Sequence, residues 1–151
     1  MTNPLVQLGS LGQSPWYDFI TRDLITSGEL ARLIAEDGLR GMTTNPTIFE
    51  KAIGGSELYD EDIRRLASEG KRPAQIFEAL AVEDVRAACD LFLPVHRESG
   101  GMDGLVSMEV SPTLAHDTPG TLAEAERLWS RIARPNVMIK IPGTTAGLPA
   151  I

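Results

Sequence analysis

Asn136-Val-Met-Ile-Lys140-Ile-Pro142-Gly143-Thr-Thr145, NVMIKIPGTT, sets one lysine inside an apolar, β-branched run that ends at a Pro-Gly break. The run reads as a strand, and Pro142-Gly143 as the turn that stops it. Because neighbouring side chains on a strand point to opposite faces, Val137, Ile139 and Ile141 fall on one side, and Met138 and Lys140 on the other. The lysine then either snorkels to water from an edge strand or faces a pocket.

Three more runs of the same kind precede it. SPWYDFI, residues 14–20, is aromatic and β-branched after its proline and reads as a first strand. Leu39 to Phe49, LRGMTTNPTIF, is a second, stopping near Asn45 at the Asn-Pro break. Gly104 to Ser111, GLVSMEVS, alternates and stops before Pro112.

Helical patterns separate them. Thr26 to Glu29 has the spacing of a capping box, followed by the stripe Leu30, Leu33, Ile34 and a stop at Gly38. Ser56 caps a helix with Leu58, Ile63 and Leu66 that closes at Gly70. Pro73 opens a long helix with a break expected near Ala81 and a kink at Pro94. Thr121 to Glu124 is a second capping box, leading Leu122, Ala125, Leu128, Trp129 and Ile132 along one face before Pro135.

Strands alternating with helices predict an α/β fold with a parallel sheet of βαβ units. The sequence stops where a further helix is due after the fourth strand, so residues 1–151 are read as one incomplete domain, the first part of a longer α/β protein.

Composition narrows the function. With 42% hydrophobic and 23% charged residues the chain reads as globular, and a formal net charge of −7 with no basic stripe argues against a nucleic-acid partner. No stretch approaches a membrane span and the N-terminus has no signal-peptide pattern, which predicts a cytoplasmic protein. Cys89 falls among Val85, Ala88 and Phe92 and reads as a buried apolar residue. His96 and His116 make no metal spacing, Gly54-Gly55-Ser56 is a weak phosphate-loop signal, and LYDEDIRRLASEG reads as a solvated acidic face.

The strand counts bring the polar exceptions together. Trp16, Asp18 and Ile20 share one side, Tyr17 and Phe19 the other; Val106, Met108 and Val110 oppose Ser107 and Glu109. Asp18, Asn45, Glu109 and Lys140 are thus expected to point the same way near strand ends, where catalytic groups collect in a parallel barrel. The bland alternative is a buried ion pair of Lys140 with Asp18 or Glu109. Of the four, only lysine forms an imine with a carbonyl substrate. Its neutral form must attack, and an ordinary lysine with a pKa of about 10.4 holds little of it at neutral pH.

With WYDFI ahead of them, GMTTNPTIF, VSMEVSP and VMIKIPGT resemble, in order, the N-terminal part of the transaldolase family, in a form similar to its long bacterial subfamily. The resemblance implies the first half of a (β/α)8 TIM-type barrel, truncated after the fourth strand, and dihydroxyacetone transfer between sugar phosphates without metal or organic cofactor. It implies Lys140 as the Schiff-base lysine, Asp18 as the base at the substrate C4 hydroxyl, and Glu109 as the proton relay acting with a water. It further implies Asn45, with Thr43 beside it, as the groups that orient the dihydroxyacetone hydroxyls. The hydroxyl, amide and phosphate-binding arginine groups of the family's later strands have no counterpart in these residues, so this chain alone is expected to be inactive or nearly so. A fructose 6-phosphate aldolase using the same lysine, and a non-catalytic half-barrel that assembles with another chain, are the alternatives.

Overall fold

The computed structural model describes residues 3–151. Four parallel strands lie in the order of the chain: β1 (Trp16–Asp18), β2 (Gly41–Thr43), β3 (Leu105–Glu109) and β4 (Val137–Lys140). Helices α1 (Pro4–Ser10), α2 (Arg22–Thr26), α3 (Glu29–Glu36), α4 (Pro46–Gly54), α5 (Asp60–Ser68), α6 (Pro73–Glu98) and α7 (Thr118–Ile132) precede and link them. Four parallel strands alternating with helices make the α/β arrangement of the first half of a TIM-type barrel.

The register sorts the side chains by face. Asp18 pairs with Thr43, Met42 with Val106, Val106 with Val137, and Glu109 with Lys140. Met42, Val106 and Val137 are buried against the helices and share one core with Leu30, Val85, Phe92, Leu128 and Ile132. The opposite face carries Trp16, Asp18, Thr43, Ser107, Glu109 and Lys140. Two glycines allow close approaches. A Cβ at Gly41 would lie 2.4 Å from the Trp16 indole, which covers that residue on the inner face. A Cβ at Gly104, at φ +71, would lie 2.4 Å from His96 N, so β3 can enter the sheet only by passing against α6 without a side chain. Asn136 fastens the entry of β4 by donating to the carbonyls of Cys89 and Gly104 at 2.9 and 2.8 Å.

Several local expectations are corrected. No element is expected before Trp16, but Asn3 caps α1 and accepts from Leu5 N. Thr26 is not a cap: it ends α2, which Thr21 caps, and α3 starts from the left-handed Gly28. The same turn of helix made by Pro46 after Asn45 converts the end of LRGMTTNPTIF into α4. The long helix α6 runs unbroken through Ala81 and Pro94. Asp117, accepting from Gly120 N at 3.0 Å, starts α7 ahead of Thr121, which is buried inside the helix and donates to Leu114 O. Leu122 and Trp129 are exposed rather than part of its packed face. Because β1 ends at Asp18, Ile20 escapes the strand alternation and enters the core with no exposed surface. Within LYDEDIRRLASEG, Tyr59 is wholly buried, so that segment is more than a solvated face.

No helix among the described residues is long and apolar enough to cross a membrane.

Candidate active site

Lys140 ends β4 with its side chain about two-fifths exposed, and its Nζ lies 3.0 Å from Glu109 Oε2 on the paired position of β3. The ion pair of the bland alternative therefore exists, but at the mouth of the sheet rather than buried in it. Nζ also donates to the Thr44 carbonyl at 2.8 Å and reaches Thr43 Oγ1 at 3.5 Å. The amine is held from the β2 side by a carbonyl and a hydroxyl, and from the β3 side by a carboxylate.

Asp18 and Asn45 stand on the same cleft as Glu109, a hollow of about 520 Å³ between the ends of β1, β2 and β3 and the first turns of α4. Asp18 has no hydrogen bond or ion pair among the described residues and is exposed to the cleft. Asn45 caps α4, its Oδ1 accepting from Ile48 N at 3.0 Å; with the oxygen engaged, the Nδ2 hydrogens are the end left for a ligand. Of the five residues singled out in the sequence, Lys140 meets both Glu109 and Thr43, and Asp18 and Asn45 line a cleft with Glu109.

Three participants escape the sequence reading. Thr44 contributes its backbone carbonyl, which no residue pattern announces, and its side chain is locked by donation to Ser107 O at 2.8 Å. Ser107 shares the parity of Glu109, two residues before it on β3, and donates to Thr43 Oγ1 at 3.0 Å; that shared parity, noted in the sequence but given no role there, is the signal that was there to use. Lys51 adds a cation to the cleft from α4, the helix that the sequence reading omits.

A second ionised cluster lies on the helix side. Arg22 Nε meets Asp84 Oδ1 at 3.0 Å, its Nη1 meets Asp62 at 2.6 Å, and its guanidinium carbon sits 4.5 Å from the centre of the Tyr59 ring. Tyr59 donates to the other Asp84 oxygen at 2.7 Å. Burial pushes the Asp84 carboxyl above its usual range, against the Tyr59 hydrogen bond and the Arg22 charge that pull it down. Hydrogen bonds from Arg65 and Arg22 hold Asp62 below that range. Burial and the bond to Asp84 push the Tyr59 phenol upward. Apart from Arg22 Nη2, which lies 3.6 Å from Glu83 and makes no hydrogen bond among the described residues, these groups are engaged with one another, and the cluster reads as a brace between α2, α5 and α6.

Among the described residues no group of three or more His, Cys, Asp and Glu side chains converges to hold a metal. The geometry offers a primary amine, a carboxylate within proton-transfer distance, and a second carboxylate and an amide across an open cleft. That set suits covalent chemistry on a hydroxylated carbonyl compound.

The sequence model of the family described as Transaldolase/Fructose-6-phosphate aldolase matches residues 15–151. The chain is 50% identical over its whole length to a protein named Transaldolase from Trichodesmium erythraeum, covering 40% of that protein. It is 51% identical to a Transaldolase from Acidothermus cellulolyticus, again over the whole chain and 41% of the relative. With a Transaldolase from Neisseria gonorrhoeae the identity is 48%, over 97% of this chain and 42% of the relative. The chain thus spans about two-fifths of the length of the curated relatives it matches.

Proposed function

The chain belongs to the transaldolase/fructose-6-phosphate aldolase family, and from that membership we propose that it carries the imine-forming half of a transaldolase site. The reaction moves a dihydroxyacetone unit between ketose and aldose phosphates: sedoheptulose 7-phosphate and glyceraldehyde 3-phosphate give erythrose 4-phosphate and fructose 6-phosphate, a step of the cytoplasmic pentose phosphate pathway. The observation that carries the proposal is the 3.0 Å pair of Lys140 and Glu109, whose Glu109 lines a cleft together with Asp18 and Asn45.

The pair answers the charge problem that a lysine nucleophile poses. One proton shared across Lys140 and Glu109 gives either an ammonium and a carboxylate or a neutral amine and a carboxylic acid. Moving it from Nζ to Oε2 produces the nucleophile and the acid together, with no exchange with solvent. The amine attacks C2 of the ketose, the C2 oxygen takes up protons and leaves as water, and the cationic imine becomes an electron sink. Asp18 then takes the C4 hydroxyl proton as the C3–C4 bond breaks, and returns it when the acceptor aldehyde is captured. Asn45 Nδ2 holds a hydroxyl of the retained three-carbon unit.

Closure of the barrel requires strands beyond the four described here, and the family resemblance puts the substrate phosphate clamp beyond them too; the relatives that the chain matches are about two and a half times as long. Transfer by the 151-residue chain alone is therefore expected to be near zero. Borohydride reduction in the presence of fructose 6-phosphate tests the chemistry, applied to the chain and to its fusion with the remaining strands of a full-length relative. The expected product is a sugar-derived mass on the Lys140 peptide; adduct only on other lysines, or none in either protein, refutes the assignment. Release of dihydroxyacetone without an acceptor aldehyde would instead mark an aldolase using the same lysine.

A further inference from the structure

Resting on the reading of Lys140 as the imine-forming residue, we propose that Ser107 is a positioning residue for imine formation. It fixes the Thr43 hydroxyl so that Thr43 presents its hydrogen to the carbonyl oxygen of an incoming α-hydroxy ketone.

The backbone ladder between β2 and β3 consists of the pairs Gly41 with Leu105 and Met42 with Val106 and goes no further. Beyond it the two strands are joined by side chains: Thr44 Oγ1 donates to Ser107 O at 2.8 Å, and Ser107 Oγ donates to Thr43 Oγ1 at 3.0 Å. Both bonds cross between the strands. The second joins two hydroxyls on the inner face, and Ser107 is only 6% exposed, so its hydrogen is committed.

The consequence follows from counting. A threonine hydroxyl has two acceptor positions and one hydrogen. Ser107 fills one acceptor position of Thr43 and Lys140 Nζ, at 3.5 Å, addresses the other. The hydrogen has no acceptor among the described residues, and Thr43 sits in the register row of Asp18, on the side of the sheet that carries the cleft. Without Ser107 the hydroxyl is free to turn and donate to the neutral Lys140 nitrogen, occupying the lone pair that must attack. Ser107 thus sets the polarity of the contact: Thr43 accepts from the amine and donates to the ketone.

In the step itself the Nζ lone pair forms the bond to C2 while the C2=O π pair moves onto oxygen, where the Thr43 hydrogen bond meets the developing charge. That oxygen takes one proton from the nitrogen and a second from the Glu109 carboxyl, and departs as water. Thr43 and Ser107 give up no proton.

The test is cyanoborohydride trapping of dihydroxyacetone on Lys140, read by peptide mass in the 151-residue chain and in its fusion to the remaining strands of a full-length relative. Ser107→Ala is expected to lower the trapping rate at saturating ketone about tenfold, the size of one ordinary hydrogen bond. The half-saturating concentration should move less than about twofold, and Ser107→Thr should restore the rate. Ser107→Ala combined with Thr43→Ala should lose no more than Thr43→Ala alone. An unchanged rate in Ser107→Ala, or fully additive losses, overturns the proposal while leaving the imine reading intact. Absence of adduct from both unmutated proteins overturns the imine reading and this role together. Should Ser107→Ala lose its cooperative thermal transition, Thr43→Val reads the same hydroxyl in an isosteric side chain, and an unchanged rate there overturns the proposal.

Discussion

Two ion pairs in this molecule have the same length and opposite fates. Lys140 to Glu109 and Arg22 to Asp84 each measure 3.0 Å. The first has side chains 39% and 21% exposed, the second 14% and 4%. Around Arg22 stand Asp62, the Tyr59 ring and the Leu58 carbonyl, which cover the guanidinium although Asp62 and Leu58 themselves reach solvent. Around Lys140 stand a carbonyl and a hydroxyl, its side chain reaches solvent, and its partner Glu109 lines an open cleft. Distance does not separate a reactive pair from a structural one; the difference lies in whether any side of the cation remains open to a ligand.

Substitutions should pull the two pairs apart, beginning with the largest effect. Lys140→Met should abolish ketose trapping, a loss of at least ~10³-fold, or about 4 kcal/mol. Its thermal midpoint should stay close to that of the parent, because a half-exposed pair contributes at most about 1 kcal/mol. Asp84→Ala should do the reverse. It leaves Arg22 Nε and the Tyr59 hydroxyl without their shared buried acceptor and should cost about 3 kcal/mol in urea unfolding. The Lys140 adduct should still form under native conditions. A Lys140→Met protein that melts as poorly as Asp84→Ala would dissolve the distinction.

Finer tests act within the brace. Tyr59→Phe removes one buried hydrogen bond to Asp84 and should cost about 1 to 2 kcal/mol, measured by the same unfolding midpoint. Acid separates the two carboxylates by sign. Asp62, with its folded pKa lowered, contributes stability that is present above its unfolded value near 4 and is lost as pH falls through the folded value. Asp84, with its folded pKa raised, contributes stability that is full below the unfolded value and lost as pH rises through the folded one. Thermal melts of Asp62→Asn below about pH 4 should therefore show a shallower acid decline than the parent, whereas Asp84→Asn should remove a loss of stability that the parent shows as pH rises above about 4. Parent-like profiles in both variants would mean that neither carboxylate is shifted by its surroundings as the geometry requires.

The smallest effect is chemical. Burial pushes the Cys89 thiol up to about 12, so iodoacetamide should leave it unmodified in the folded chain and alkylate it fully in denaturant. Rapid native labelling would show that the helix side opens as readily as the cleft.

The contrast also explains what could be read from the residues alone. Lys140 interrupts an alternation, and an interrupted alternation is visible in a string of letters. Strand parity carries Glu109 to the same face, and the register pairs the two. Arg22 interrupts nothing: it opens α2, and its acid partners lie 40 and 62 positions along the chain on α5 and α6, a meeting that only packing arranges. Asn45 shows a mixed outcome. The Asn-Pro break stops β2 as expected, but the same two residues also begin α4, so one amide both caps a helix and faces the cleft. The capping-box spacing at Thr26 misled because Thr26 is taken up as the end of α2, which leaves α3 to start from Gly28, and the one at Thr121 because Asp117 lies just upstream and caps α7 first. Local pattern identifies a competent cap; it does not say which of two competent caps the chain uses.

The indole of Trp16 lies across Gly41 on the inner face, one pleat below Asp18. It puts a fluorophore on the face of the sheet that carries Asp18, Glu109 and Lys140, while Trp129 is exposed on α7. A ligand docked on that face would change the surroundings of one tryptophan and leave the second, in the same molecule, as a constant reference.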